Sequence, residues 1–192
     1  MADRLNILDG IGAYVAQGKL LRPTAVVAET IPRIGAQSTN ETPLSTGRMT
    51  LQLIYLDAGI LVSNITFSSW TTALAAGTNQ WFALYSLALG KLAVTADDTS
   101  TAWGAFSTKT LAVASPYTVP TSGYYYVGIM VAAGTVPSLA GVTCATGVNT
   151  LVPMLQGHDA TNTGLTTPAT APVTAAALTS SSAPGTLMAY IT

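Results

Sequence analysis

Asp97 and Asp98 are the best-placed pair in this chain for general acid–base work. That work needs two acids aimed at one substrate atom, and neighbouring residues of an extended segment point to opposite faces. The pair therefore reads as a solvated turn. His158-Asp159 has the composition to orient an imidazole. No serine sits in a nucleophile-elbow context, however, and Cys144 lies in a Thr/Gly-rich stretch without a catalytic signature. One Cys and one His cannot make an intrachain disulfide or a four-ligand zinc site from those types. Gly12 and Gly18-Lys19 are one residue too far apart for a phosphate-cradling loop, and Leu20 stands where a metal-binding hydroxyl is needed. Lys91 fails likewise because Tyr85 occupies the first glycine position, and Gly10-Ile11-Gly12 lacks the third glycine of a dinucleotide fingerprint. The expectation is a chain with no catalytic residues, no cofactor and no metal.

Stacking chemistry is better represented. Trp70, Trp81 and Trp103, with Asn79, Gln80, Asp97 and Asp98 nearby, have the residue types of a sugar-binding platform. Trp81 falls inside an extended apolar run and reads as core. The candidate platform is therefore Trp70 and Trp103 with Asn79, Asp97 and Asp98.

The elements that must position these residues read as strands. Met49, Leu51, Leu53 and Tyr55 alternate with Thr50 and Gln52, the pattern of a half-buried strand. Ile60–Phe67 follows the turn-forming Asp57-Ala58-Gly59, with Leu61, Ile65 and Phe67 on one face. Gln80–Tyr85 and Lys91–Thr95 flank a loop in which Gly90 is expected to supply positive φ, so they read as a hairpin. Leu111–Ala114 reads as a brief strand, and Pro116 and Pro120 bracket Tyr117-Thr118-Val119. Tyr124–Ala133 is the strongest strand signal and is expected at the centre of a sheet, with Gly128 permitting a bend or a close backbone approach. Gly164–Gly185 is too poor in large apolar groups to form its own core and is expected to drape over the sandwich. Leu187–Ile191 is expected to close the fold as a paired strand. Together these predict an all-β, antiparallel, jelly-roll-like sandwich over residues 44–192.

Residues 1–43 read as an extended N-terminal arm. Leu5, Leu8, Ile11 and Val15 recur at helical spacing, but Gly10 and Gly12 interrupt them at a cost of about 1 kcal/mol each. Thr24–Ile31, between Pro23 and Pro32, has the β-branched content of an edge or partner-pairing strand. Leu5, Leu8, Ile11, Val15, Val26, Val27 and Ile31 are the candidate anchoring residues.

Composition narrows the partners. Charged residues are 8% of the chain, and 7 Lys and Arg face 8 acids, so no strong field is present to hold phosphates; nucleic acid is not an expected partner. A net charge of −1 gives little repulsion between copies, which favours assembly. The longest apolar stretch, Tyr124–Ala133, is about half the ~20 residues of a spanning helix, so no membrane partner is expected. The opening residues lack the basic and apolar regions of a secretory signal, and the acceptor patterns at Asn40 and Asn64 are discounted accordingly.

Thr50–Thr66, Thr78–Tyr85, Leu92–Asp98 and Ser115–Val131 resemble a β-sandwich module of actinobacteriophage virion proteins, with a weaker match through Gly164–Pro172. The resemblance covers roughly residues 44–192. It implies a head-decoration, minor tail or fibre protein, found in the virion after assembly in the host bacterial cytoplasm. No catalytic residue transfers from it. The implied partners are major capsid or tail proteins and further copies of the chain, with a trimer as the expected unit. An arm on a short sandwich favours capsid decoration, with a receptor- or carbohydrate-binding tail protein as the alternative.

Overall fold

The computed structural model describes residues 23–33, 36–99, 101–144, 146–172, 177–180 and 185–192. Leu5, Leu8, Ile11 and Val15 lie outside the described residues.

Six strands carry the plan: β3 (Arg48–Leu56), β4 (Leu61–Ser68), β5 (Ala75–Ser86), β6 (Lys91–Val94), β7 (Thr108–Thr118) and β8 (Gly123–Thr135). They pair as nested antiparallel couples, β5 with β6 inside β4 with β7 inside β3 with β8. This ribbon is folded over, so that β5 also pairs with β8 while β4 and β7 lie in a different sheet. A nested ribbon wound across two sheets is the jelly-roll principle, here with three couples. The chain is thus an all-β antiparallel sandwich.

The remaining strands extend the sheets: β1 (Ala28–Glu29), β2 (Gln37–Pro43), β9 (Ser138–Thr143), β10 (Gln156–Asp159), β11 (Leu178–Thr179), β12 (Gly185–Leu187) and β13 (Ala189–Ile191). One sheet runs β11-β10-β3-β8-β5-β6, the second β1-β13-β4-β7, and a small third β12-β9-β2. At one margin Thr95 bridges to Val113, joining the end of β6 to β7 and closing the sandwich there.

The six-stranded sheet is buried on both faces. Its inner face, with Ile54, Leu56, Phe82, Leu84, Val127 and Ile129, packs on Val62, Ile65 and Phe67 of the four-stranded sheet. Its outer face carries a second core of Met49, Leu51, Trp81, Tyr85, Tyr126 and Met130, completed by Leu165 and Ala171. Leu165 and Ala171 come from the Thr/Ala/Pro-rich segment, whose described residues 164–172 lie over the sandwich as expected, whereas Leu178–Thr179 and Gly185, expected in the same loop, belong to the paired strands β11 and β12. Polar tips of the covered side chains hold it: Trp81 Nε1 donates to the Thr166 carbonyl (2.8 Å), the Tyr85 hydroxyl to Pro172 (2.9 Å) and Lys91 Nζ to Ala171 (2.9 Å). The segment supplies carbonyls and small apolar groups, and the sheet supplies the donors.

Several local expectations change. β3 is not half-buried, because its polar face is covered as well: Thr50 and Gln52 are enclosed, while Tyr55, predicted inward, is 50% exposed. On β4 the register shifts between Val62 and Asn64, so Val62 joins Ile65 and Phe67 in the core and Leu61 turns outward. A bulge of this kind reverses the alternation that sequence parity assumes. β7 is one strand running through Pro116, tolerated because β7 is an edge. In the β5–β6 loop the positive φ belongs to Leu89 (66°), not Gly90. Central β8 and the paired C-terminal strands stand as predicted. A Cβ on Gly128 would meet Leu51 Cδ2 at 2.9 Å, so this glycine lets the Leu51 and Met49 side chains lie flat on the sheet.

Candidate functional site

The proposed sugar platform does not come together. Trp103 is 1% exposed and packs edge-on to Phe82 in the inner core, because residues 101–107 fold back over the end of the sandwich. Asn79 Nδ2 and the Gln80 amide both donate to the Asp97 carboxylate, at 2.5 and 2.9 Å, so these groups pin the loop to β5. Asp98 accepts from Lys109 Nζ at 2.7 Å. Burial alone would raise the Asp98 acid, but hydrogen bonds from Lys109 and Thr101 and the Lys109 charge outweigh it and hold the acid below its ordinary value. The two adjacent carboxylates thus hold two different parts of the fold rather than one substrate atom.

Trp70 remains partly exposed, as anticipated, with a partner that sequence reasoning missed. Phe106, 66% exposed, sits edge-on to its ring at 4.8 Å. The Phe106 amide donates to the Trp70 carbonyl at 2.7 Å and its φ is 51°, so a backbone bond holds this aromatic in the left-handed region. A lone Phe after Gly104-Ala105 in a loop was the available signal.

His158 and Asp159 have separate structural roles. His158 Nδ1 shares a 2.9 Å hydrogen bond with Thr50 Oγ1 across β10 and β3. Burial, with the Arg48 charge added, keeps the imidazole below its ordinary pKa. The Asp159 carboxylate accepts from the amides of Thr161 and Asn162, both at 3.0 Å, capping the turn after β10. Burial raises the Cys144 thiol. Among the described residues no cluster of three His, Cys, Asp or Glu is placed to hold a metal ion.

The described anchoring candidates divide. Val26 is buried at 9%, Val27 is 37% exposed and Ile31 is half-buried. Thr24–Ile31 does provide an edge strand, but β1 adds to the protein's own β13, with Ala28 opposite Ile191 and Glu29 opposite Tyr190. Beside it, Pro23, Ala25, Val26, Met188 and Tyr190 line a mainly apolar groove of about 560 Å³ on the outside of the four-stranded sheet. Thr66 and Thr110 also line the groove, their hydroxyls bonded to each other at 2.8 Å.

A second surface went unnoticed in the sequence. Leu151 and Val152 are 65% and 96% exposed on the loop before β10. Next to them Leu87, Leu89, Tyr126, Pro153, Met154 and Leu178 border a hollow of about 310 Å³. Tyr124 lies two residues before Tyr126 on the same face of β8, stacked edge-on against Tyr55 at 5.5 Å, and both tyrosines are half exposed. The run Leu151-Val152-Pro153-Met154-Leu155 was the only trace of this in the sequence.

No protein-family profile, no curated protein and no solved structure matches this chain. Its class is set by the fold itself: an antiparallel β-sandwich with an outer strap and exposed apolar side chains.

Proposed function

We propose that this chain is a non-enzymatic structural protein of a bacteriophage particle, decorating the capsid surface through its N-terminal region. The carrying observation is how the polar and apolar side chains are used. The candidate chemical groups Asn79, Asp97, Asp98, His158 and Asp159 are engaged in bonds that hold loops and strands, while Leu151, Val152, Tyr55 and Tyr124 face outward. Such a surface suits lasting contact better than turnover. The resemblance of residues 44–192 to virion sandwich modules supports placing that contact in a particle.

Because β1 and β2 pair within the protein's own sheets, we assign the attachment to shell proteins to residues 1–22. Many weak copies on a symmetric shell would give lasting attachment. The test is removal of residues 1–22 rather than 1–43, which spares β1 and β2. The shortened protein should fold and no longer co-sediment with particles; undiminished incorporation refutes the assignment.

The alternative, a tail or fibre protein that binds host carbohydrate, draws on the pair of partly exposed Trp70 and exposed Phe106. It requires glycan or cell-wall binding that falls with Trp70→Ala or Phe106→Ala. A glycan array without any ligand removes it.

A further inference from the structure

We infer that the outer face of the six-stranded sheet is a peptide-binding groove, and that residues 164–172 are its ligand, carried on the same chain.

The strap meets the sheet as a docked peptide does, not as a further strand. Strands of this protein pair through backbone ladders, and Pro168 and Pro172 have no N–H to give to one. Thr167 (φ −76°, ψ 163°) and Ala171 (φ −58°, ψ 121°), each just before a proline, lie in or beside the polyproline II region. A single helical turn, Pro168–Thr170, joins them. Leu165 and Ala171 are buried, whereas Thr166, Thr167, Ala169 and Thr170 face solvent. Two apolar anchors on an otherwise exposed segment are the means by which short extended peptides are held.

The sheet has the matching chemistry. Trp81 and Tyr85 stand on one face of β5, about 13 Å apart at the ordinary strand rise, and give their N–H and O–H to the carbonyls of Thr166 and Pro172. Lys91 Nζ adds a bond to the Ala171 carbonyl. Aromatic donors aimed at carbonyls over an apolar floor, here Met49, Leu51 and Met130, are how grooves take extended proline-containing segments. Each of these donors meets a backbone carbonyl, so the groove reads conformation and the two anchors and tolerates other residues between them. Its ligand class is an uncharged extended segment with a leucine and, six residues on, a small residue followed by proline. The floor strands β3, β5 and β8 pair with one another, and their inner face packs on the four-stranded sheet, without any contribution from the strap.

This groove does not depend on particle membership, and its test uses the full chain. Leu165→Asp removes one anchor and should lift the strap while the sandwich keeps a cooperative melt. That variant should bind a capped peptide of residues 163–172 one-to-one in the millimolar range or tighter, the effective concentration that a short tether supplies. Wild type, its groove filled, should bind the same peptide at least about 10-fold more weakly. A peptide carrying Leu165→Asp should also lose at least about 10-fold. Adding Tyr85→Phe to the protein should weaken peptide binding about 5-fold, the worth of one neutral hydrogen bond. The Trp81 indole nitrogen resonance reports occupancy, returning toward its wild-type position as peptide binds.

A second measurement needs no variant. In wild type the Trp81 indole proton should exchange with solvent faster than the amides of the β3–β8 ladder and independently of low urea, because lifting the strap frees it while the ladder stays closed. Indole exchange that waits for global unfolding, or a Leu165→Asp chain that cannot fold, would make the strap an inseparable part of the core and overturn the inference. So would a folded Leu165→Asp chain that binds no peptide or takes the Asp-bearing peptide equally well, or a wild type that binds as tightly as the variant.

Discussion

Lys109 is the charge whose partner matters most. It points inward from β7, is 6% exposed, and donates to Asp98 Oδ2 at 2.7 Å and to the Thr101 carbonyl at 2.9 Å, with the Trp103 ring 6.0 Å away. Coulomb attraction at that separation, with an effective dielectric constant of about 20, is about 6 kcal/mol before desolvation is subtracted. Removing the ammonium from water offsets most of this. Asp98→Asn keeps the shape and removes the charge, leaving the lysine enclosed with only neutral acceptors. The cost should be about 3 kcal/mol, near the low end for broken buried pairs because the Asp98 side chain is 18% exposed.

Lys109→Met should cost only about 1 kcal/mol, since the methionine suits the apolar site and the freed carboxylate can turn to water. The double variant should be no worse than Lys109→Met alone, a coupling of about 3 kcal/mol in a double-mutant cycle. Urea unfolding followed by tryptophan fluorescence measures all four stabilities, with a common slope as the check on two-state behaviour. The Asp98 acid is held below its ordinary value when folded, so its contribution is present above about pH 4 and fades as pH falls through the folded pKa. Equal costs for the two single variants, with simple additivity, would refute the view that Lys109 depends on Asp98.

The outer strap predicts that Leu165→Ala costs about 2–3 kcal/mol and Tyr85→Phe about 1 kcal/mol, the second by orphaning the Pro172 carbonyl; both are read from urea midpoints. Gly141→Ala should be worse than Gly128→Ala, by about 2 kcal/mol, because its Cβ collides with the Thr186 backbone carbonyl whereas that on Gly128 meets movable side-chain ends. Thermal melts of the two variants make the comparison. His158 is held below its ordinary pKa of about 6.5 when folded, so below that pH the unfolded chain takes up a proton that the folded one resists. The melting temperature should fall as pH drops from about 6.5, and His158→Asn should flatten that part of the profile.

What could be read from the residues was mostly local. The Tyr-Tyr-Tyr-Val-Gly-Ile-Met-Val run marks β8 as central because its apolar residues continue without a polar break, and all but the first, Tyr124, are buried; the poverty of large side chains in Gly164–Gly185 speaks against an independent core there. What could not be read depends on partners far along the chain. Gln52 looks like a solvent-facing residue until Leu155 and Leu187 arrive, when its amide nitrogen donates to one and its oxygen accepts from the other. Trp103 looks like a loop residue until the Lys109–Asp98 pair draws that loop over the core. Leu61 and Val62 exchange faces through a bulge that no alternation pattern announces. For the candidate site, Asn79, Asp97 and Asp98 are indeed clustered near one another, yet they brace the fold, and the exposure of Leu151 and Val152 has no signal in the pattern around them.

The seam between Ala28–Glu29 and Ala189–Ile191 has a consequence for how the molecule is made. Residues 28 and 29 emerge early in synthesis, but the strand that receives them is not translated until some 160 positions later, about ten seconds or more at ordinary elongation rates. Residues 189–191 also zip onto Phe67–Ile65, so a single late segment completes two joins at once. Until it arrives the four-stranded sheet is only β4 and β7, and Ile65 and Phe67 lack part of their cover. A nascent chain halted before position 187 should therefore be open to protease at its N-terminal third, and release of the final strand should seal it.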